Sequence, residues 1–102
     1  MDLNALMRQA QTMQKQMQKK QKEVEDQVFE VSSNGGAIIV TIQGNKNVLN
    51  IKLDEDLVEK DNKDMLEDML TIAVNEAIKK VEEEMAKAVS SATGGMKIPG
   101  MF

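Results

Sequence analysis

The residues best suited to chemistry in this sequence are cations that repeat along its first 22 positions. Arg8, Lys15 and Lys22 are seven residues apart, so on a helix they fall along one line. From Arg8 to Lys22 that line is about 21 Å long at 1.5 Å per residue. Cations held on a rigid helix can follow nucleic-acid phosphates and release their counterions. With Lys19 beside the line, this basic stripe predicts a DNA contact.

The basic stripe also has a simpler interpretation, because the outward face of a coiled helix is normally charged and solvated. The net charge of −4 argues mildly against a nucleic-acid partner as well. Charge is nevertheless unevenly distributed, since residues 1–22 carry five cations against one acid. A solvated face normally mixes both signs, so the imbalance favours DNA contact. Six glutamines in the same segment are more simply a neutral helix surface, and no base readout is predicted from them.

Three lysines near the C-terminus form a second group of candidates, Lys79, Lys80 and Lys87. They can extend the positive surface of the basic stripe. They can also form ion pairs four residues apart on a helix, Glu76 with Lys80 and Glu83 with Lys87. The ion pairs are the simpler expectation, and DNA contact is the alternative.

Residues 54–68 are strongly acidic, with eight acids against two lysines. The start of this segment, Asp54-Glu55-Asp56, resembles a calcium-binding loop. That loop needs Asp or Asn and then Gly where this chain has Val58 and Glu59. No calcium site is therefore predicted, and the acids are expected to serve solubility, the helix dipole or partner choice.

The residue types that most enzymes rely on are missing. The chain has no histidine and no cysteine, which removes the commonest general base, disulfides and thiolate metal sites. Gly35-Gly36 is not followed by the lysine and hydroxyl residue of a phosphate-binding loop. We therefore predict no enzyme activity, no cofactor, no bound metal and no small-molecule substrate.

Apolar segments in this sequence are short. None approaches the roughly 20 residues that a membrane-spanning helix needs. The first residues lack the charged and apolar regions of a secretory signal. These features predict a cytoplasmic protein with no membrane partner.

Two helical segments flank a segment with the periodicity of strands. Residues 3–28 are predicted as a helix by an apolar seam with heptad spacing, which Val24 continues. The residues of this apolar seam are Leu3, Leu6, Ala10, Met13 and Met17. Residues 29–53 alternate with a period of two around turns at residues 33–36 and 44–47, which predicts a three-stranded antiparallel meander.

The second helix is predicted at residues 61–92, with Asp61 or Asn62 as its cap. Its expected apolar face comprises Leu66, Met69, Ala73, Ala77, Val81, Met85 and Ala88. Gly94-Gly95 should end the helix and leave residues 93–102 as a mobile tail.

The predicted fold is therefore α+β, with the order α-β-β-β-α in a single domain spanning residues 1–102. Each helix would be about 40 Å long at 1.5 Å per residue, more than a three-stranded sheet can cover. Their apolar surface must meet another chain, and we predict a homodimer.

Several stretches distributed along the sequence have a recognisable order and spacing. They are Leu6-Met7-Arg8-Gln9-Ala10-Gln11 with Met13-Gln14; Gly35-Gly36-Ala37-Ile38-Ile39-Val40; Gly44 with Val48, Ile51, Leu53 and Asp54; Leu66-Glu67-Asp68 with Ala73, Asn75-Glu76-Ala77 and Lys80; and Thr93-Gly94-Gly95 with Pro99-Gly100-Met101-Phe102. Through them the chain resembles the YbaB/EbfC family over almost its whole length. Ser33-Asn34 replaces the small Ala-Gly segment usual in that family.

The resemblance implies a nucleoid-associated homodimer in the cytoplasm that binds double-stranded DNA and alters its conformation. It implies a tweezer-like shape in which helices project from a dimeric β-core. Arg8 matches a motif position on the first helix, whereas the other candidates come from charge and spacing alone. The predicted DNA-binding residues are Arg8, Lys15, Lys19, Lys22, Lys79, Lys80 and Lys87.

Two other functions fit the same pattern. Long helices joined by β-hairpins also occur in protein-binding or chaperone-like modules, where exposed Met and Leu grip unfolded chains. A recombination or replication accessory protein would differ only in its partner.

Overall fold

The computed structural model describes residues 2–92 as a helix, three strands and a second helix. In chain order these elements are α1 Leu3–Asp26, β1 Val28–Ser33, β2 Ile38–Gln43, β3 Val48–Leu53 and α2 Lys63–Ala92. Short 3₁₀ turns occupy Asn34–Gly36, Glu55–Leu57 and Lys60–Asn62. The predicted α+β class and the order α-β-β-β-α are confirmed. The helix stop and tail predicted from Gly94-Gly95 onward lie outside the described residues.

Both helices are slightly shorter than predicted. The Asp2 side chain caps α1 by accepting a hydrogen bond from the Asn4 N–H at 3.0 Å. The helix ends at Asp26 and not at residue 28, because Gln27 is extended (φ −74°, ψ 144°). Asp61 and Asn62 belong to the 3₁₀ turn before α2, and the helix begins directly after Asn62, at Lys63.

The three strands pair antiparallel in the order β1-β2-β3. In the register, Val31 lies opposite Val40, and Val40 lies opposite Ile51. A bulge interrupts the β2–β3 ladder beside Ile42 and adds one residue to β3, Leu49. The predicted meander is therefore present.

The core lies where α2 crosses β1 and β2. Ile38, Val40 and Ile42 of β2 are fully buried against it, and each buried side chain of this size stabilises the fold by about 1.5–3 kcal/mol. Ala73 and Ala77 of α2 are also fully buried, and their small side chains let the helix approach the sheet closely. The predicted apolar face of α2 is thus the face that packs. Within the described part of the chain, neither helix combines the length and apolarity that a membrane span requires.

The β3 strand is left largely uncovered. Val48 and Ile51 lie opposite Ile42 and Val40, so they share the sheet face that α2 covers elsewhere. They nevertheless remain 37% and 39% exposed, whereas their β2 neighbours are fully buried. We call Val48, Leu49 and Ile51 the β3 patch. It is an apolar surface that one copy of this chain does not bury.

Both helices extend from the same end of the sheet. The β1 strand begins at this end, where Val28 lies opposite Gln43, and α1 leads directly into it. The C-terminal part of α2 passes the same end, because Gly44 and Lys46 line a groove with Val81, Met85 and Val89. We call α1 together with residues 81–92 the arm. The arm accounts for the elongated shape, whose principal extents are 70 × 22 × 16 Å.

Within the arm, the apolar seam of α1 is covered for only half its length. Val24, at the sheet end, is 8% exposed, and Met17 and Met13 are half-buried. Leu6 and Leu3, farther out, are 48% and 71% exposed. Every residue from position 2 to 12 is exposed. The seam predicted from the sequence therefore packs along its inner half only.

Candidate nucleic-acid interface

The basic stripe lies on one continuous helix. Arg8, Lys15, Lys19 and Lys22 are all within α1 and all exposed. An uninterrupted helix fixes the seven-residue spacing, so the stripe runs for about 21 Å along the arm. It faces away from the apolar seam, because position f of a heptad lies opposite positions a and d. The structure therefore places the four α1 candidates on one surface, as their spacing indicates.

The cations of α1 differ in whether they already form an ion pair with an acidic residue of the same chain. Lys22 pairs with Asp26 at 3.2 Å, and Lys20 pairs with Glu23 at 3.8 Å. Both pairs are exposed and contribute little to stability. Among residues 2–92, Arg8, Lys15 and Lys19 form no ion pair, and Arg8 Nε donates only to the Asn4 carbonyl at 3.5 Å. Their charges are available to an external anion.

The α2 lysines are paired differently from the prediction. Lys80 Nζ lies 2.9 Å and Lys87 Nζ lies 3.4 Å from the same atom, Glu84 Oε1. The predicted pairs with Glu76 and Glu83 are therefore wrong. Glu84 stands one turn after Lys80 and one turn before Lys87, so a single carboxylate reaches both.

The two neighbouring lysines change the pKa of the Glu84 carboxylate that they share. The hydrogen bond from Lys80, joined by the charges of Lys80 and Lys87, lowers the pKa of Glu84 below its ordinary value of 4.5, although partial burial acts in the opposite direction. Glu84 is thus ionised at neutral pH and partly neutralises both lysines. Lys79 is exposed and, in the described chain, carries no ion pair. The α2 candidates are consequently a weaker positive surface than the basic stripe.

Two exposed lysines on the sheet were not among the sequence candidates. Lys46 occupies the β2–β3 turn with φ 72° and lines the same groove as Glu82, at the base of the arm. Lys52 lies on β3 opposite Ile39, on the sheet face away from α2. Neither forms an ion pair with another described residue. A single lysine in a turn is not part of any regular spacing in the sequence. Only the fold therefore shows that Lys46 lies where the arm begins.

The acidic segment lies at the other end of the molecule. Asp54 follows β3 directly, and its N–H donates to the Ala37 carbonyl at 2.9 Å, at the β2 end far from Gly44. The segment continues through the two 3₁₀ turns into the first residues of α2. The sheet therefore separates the acids of residues 54–68 from the basic stripe. No group of acids in residues 2–92 is arranged to hold a metal ion.

Comparison with known proteins gives consistent results. The model of the YbaB/EbfC DNA-binding family matches residues 1–96. A nucleoid-associated protein of Clostridium novyi is 45% identical over 102 residues, which cover 100% of this chain and 90% of that protein. A nucleoid-associated protein of Lachnoclostridium phytofermentans is 47% identical over 95 residues, covering 93% of this chain and 80% of that protein.

A solved structure shares the fold. The crystal structure of the uncharacterized protein HP0035 from Helicobacter pylori superposes with a TM-score of 0.72 and 24% sequence identity. The match covers 92% of this chain and 99% of that one. At this identity the likeness concerns the fold alone.

Proposed function

The chain belongs to the YbaB/EbfC DNA-binding family, and from that premise we propose that it is a non-catalytic, nucleoid-associated protein that binds double-stranded DNA through its arm. The names of the curated relatives support the same function. They favour DNA over the protein-binding or chaperone-like alternative. The proposed place of action is the nucleoid and hence the cytoplasm that contains it.

The observation that carries this proposal is the separation of charge along the molecule. The net charge is −4, which would repel DNA if it were spread evenly. The acids of residues 54–68 instead lie beyond the sheet, whereas Arg8, Lys15 and Lys19 lie unpaired on the arm. At physiological salt the Debye length is about 8 Å, so charges separated by the sheet are largely screened from one another. A duplex alongside the outer part of α1, up to Lys22, would meet mainly positive charge, because residues 1–22 carry five cations against one acid.

The basic stripe would contact phosphates and not bases. Arg8, Lys15, Lys19 and Lys22 are long cations on an outward helix face, and such contacts position a protein without reading sequence. Lys79, Lys80 and Lys87 would add to the affinity where DNA displaces Glu84 from its two lysines. The proposed binding is therefore strongly dependent on salt and weakly dependent on sequence.

A homodimer is part of the proposal, and the β3 patch supports it. Val48, Leu49 and Ile51 are apolar and exposed, and Val48 and Ile51 lie on the face that carries the core. A symmetric interface would bury the same patch of both copies. A dimer formed there would carry two arms, and two arms on one duplex can constrain its path. Roles in nucleoid organisation and gene regulation follow from such a change in DNA conformation.

Fluorescence anisotropy of a labelled duplex of about 30 base pairs, titrated with protein at several salt concentrations, tests this function. We expect the logarithm of the affinity to fall linearly with the logarithm of salt, with a slope of about −0.9 for each neutralised phosphate. A slope near −3 would correspond to about three phosphates, which matches the unpaired cations of one basic stripe. Absence of binding at low salt would contradict the proposal.

A further inference from the structure

The outer half of α1 carries a shallow depression on one side of the helix, lined by Asn4, Met7, Arg8 and Gln11. These residues are spaced at i, i+3, i+4 and i+7, which keeps their side chains on one side of a helix. Met7 falls at heptad position e, and Asn4 and Gln11 fall at b. Positions e and b lie between the apolar seam at a and the basic stripe at f. The depression therefore borders the basic stripe at Arg8.

The side chains of this depression are available to a partner. Among residues 2–92, neither the Asn4 nor the Gln11 side-chain amide forms a hydrogen bond with another residue. Met7 is 54% exposed, although it is not part of the apolar seam. Two amides and one apolar side chain are thus presented together next to an unpaired cation.

This part of α1 is not covered by the rest of the described chain. Every residue from position 2 to 12 is exposed, and Met13 is the outermost half-buried residue of the helix. An α-helix with its side chains is about 10–12 Å across, and the major groove of DNA is about 12 Å wide. The helix can therefore enter the major groove, whereas the minor groove, about 6 Å wide, is too narrow for it.

The charge of α1 favours DNA as the occupant of this side. No acid occurs between Asp2 and Glu23. With the depression turned towards the floor of the groove, position f faces a wall of the groove, where the phosphates lie. Arg8 and Lys15 then keep the phosphate contacts proposed for the basic stripe. From Asn4 to Gln11 the helix advances about 11 Å, which spans about three base pairs at 3.4 Å per step.

The side chains at positions e and b share one preference among base pairs. Adenine presents an N7 acceptor and an N6 amino donor in the major groove, which match the two ends of an Asn or Gln amide. Thymine presents a methyl group, against which an adaptable apolar side chain such as Met7 can pack. Guanine presents two acceptors, which leave the amide oxygen unmatched, and cytosine has no methyl group. Each contact therefore favours an A·T pair.

We infer that the outer half of α1 enters the major groove and favours A·T pairs, with Asn4 and Gln11 at adenine edges and Met7 at thymine methyl groups. This contact rests on the proposed function, because it specifies the DNA chemistry that the arm meets. It also distinguishes among the glutamines of α1. Gln11 faces the groove, whereas Gln9 and Gln16 lie at position g, on the other side of the helix.

Three duplexes of equal length test this preference by fluorescence anisotropy at one salt concentration. They contain A·T pairs, G·C pairs and inosine–cytosine pairs in the same order of purines and pyrimidines. Inosine lacks the minor-groove amino group of guanine, so its pair with cytosine resembles A·T in the minor groove and G·C in the major groove. We expect the A·T duplex to bind about fivefold more tightly than either of the others, the lower end of discrimination by one amide–adenine pair.

Substitution of the two amides tests which residues carry the preference. Asn4→Ala with Gln11→Ala should reduce the A·T preference to less than about twofold and leave the salt dependence unchanged, because no phosphate contact is lost. Gln9→Ala with Gln16→Ala is the matched control, since it removes two amides from the other side of the same helix and should keep the preference. Circular dichroism verifies that both variants remain helical.

Uracil in place of thymine removes only the methyl group and therefore tests Met7. It should weaken binding of the parent protein about threefold, close to the effect of burying one methyl-sized group. Met7→Ala should bind the thymine and uracil duplexes equally. An equal effect of uracil on the parent and on Met7→Ala would overturn the assignment of this contact.

The outcomes separate this inference from the proposed function. Equal affinities for the three duplexes would overturn the inference and leave the proposed function intact. An inosine–cytosine duplex that binds as tightly as the A·T duplex would also overturn it, because the preference would then come from the minor groove or from DNA shape. An equal loss of preference in the Gln9 and Gln16 control would overturn it as well. Absence of binding to all three duplexes would contradict the proposed function itself.

Discussion

The backbone of Gly44, in the turn between β2 and β3, lies directly against the carbonyl of Val24 near the end of α1. A Cβ at position 44 would overlap that carbonyl, so only glycine fits without backbone movement. The Gly44 N–H also donates to the Gln27 carbonyl at 2.9 Å. This contact joins the arm to the sheet.

The first prediction concerns that junction. Gly44→Ala should lower the free energy of unfolding by about 2 kcal/mol or more, because the new methyl group meets backbone and not a flexible side chain. Urea denaturation followed by circular dichroism measures the loss. Gly35→Ala is the matched control, since it adds a methyl group in open space and is penalised only for its φ of 70°, by about 1 kcal/mol. Equal losses of unfolding free energy in the two variants would show that the β2–β3 turn shifts to accommodate the new methyl group.

The second prediction concerns the basic stripe. Arg8→Glu with Lys15→Glu should weaken duplex binding at least about tenfold and flatten the salt dependence, because two phosphate contacts per chain are lost. Lys60→Glu with Lys63→Glu makes the same change in net charge at the acidic end of the molecule. We expect that control to bind nearly as the parent does. Equal weakening by both pairs would assign the effect to total charge and not to the stripe.

The third prediction concerns the β3 patch. Ile51→Lys should convert the proposed dimer into monomers, because a charged side chain would then lie within the apolar surface that we propose the two copies bury. Light scattering after size-exclusion chromatography measures the mass, and circular dichroism verifies that the chain remains folded. Lys52→Glu is the neighbouring control on the opposite sheet face and should leave the mass unchanged. A folded Ile51→Lys dimer would place the interface elsewhere.

The fourth prediction concerns pH. Because Lys80 and Lys87 lower the pKa of Glu84, its carboxyl should titrate below 4.5 in the folded protein. Its contribution to stability is then present above the ordinary value and is lost only as the pH falls through the lowered pKa. Carbon-13 NMR of the Glu side chains follows this titration, and Lys80→Met should raise the midpoint towards 4.5. An unchanged midpoint in Lys80→Met would show that this ion pair is not formed in solution.

Much of the fold follows from periodicity in the sequence. The change of apolar period from heptads to alternation after Val24 separates α1 from the strands, and the later return to helical spacing around Ala73 and Ala77 identifies both α2 and its buried face. These patterns work because burial against a sheet or a helix selects one side of each element. The sequence predicts the ends of elements less well than their centres. Asp61 and Asn62, for example, lie in a 3₁₀ turn, and the same polar residue types are also typical of a helix cap.

The candidate interface was predictable only in part. Seven-residue spacing was sufficient to align Arg8, Lys15 and Lys22, because the helix fixes their geometry. It was insufficient to choose the partner of Lys80, since Glu76 and Glu84 are both four residues away and only side-chain positions decide between them. Spacing along the chain also gives no information on Lys46, whose place at the base of the arm depends on how the β2–β3 turn packs.

The contact between Gly44 and Val24 is short compared with α1, so a small rotation at this contact (the pivot) produces a large displacement at the far end of the helix. Leu3 lies about 32 Å along α1 from Val24, so a rotation of about 10° at the pivot would displace the helix tip by about 5–6 Å. That displacement is comparable to half the width of the DNA major groove, about 12 Å. In a two-armed assembly, the gap between the tips would thus be governed by packing around one glycine. Small changes at that residue would therefore alter the distance between the two arm tips, and with it the width of the DNA segment that fits between them.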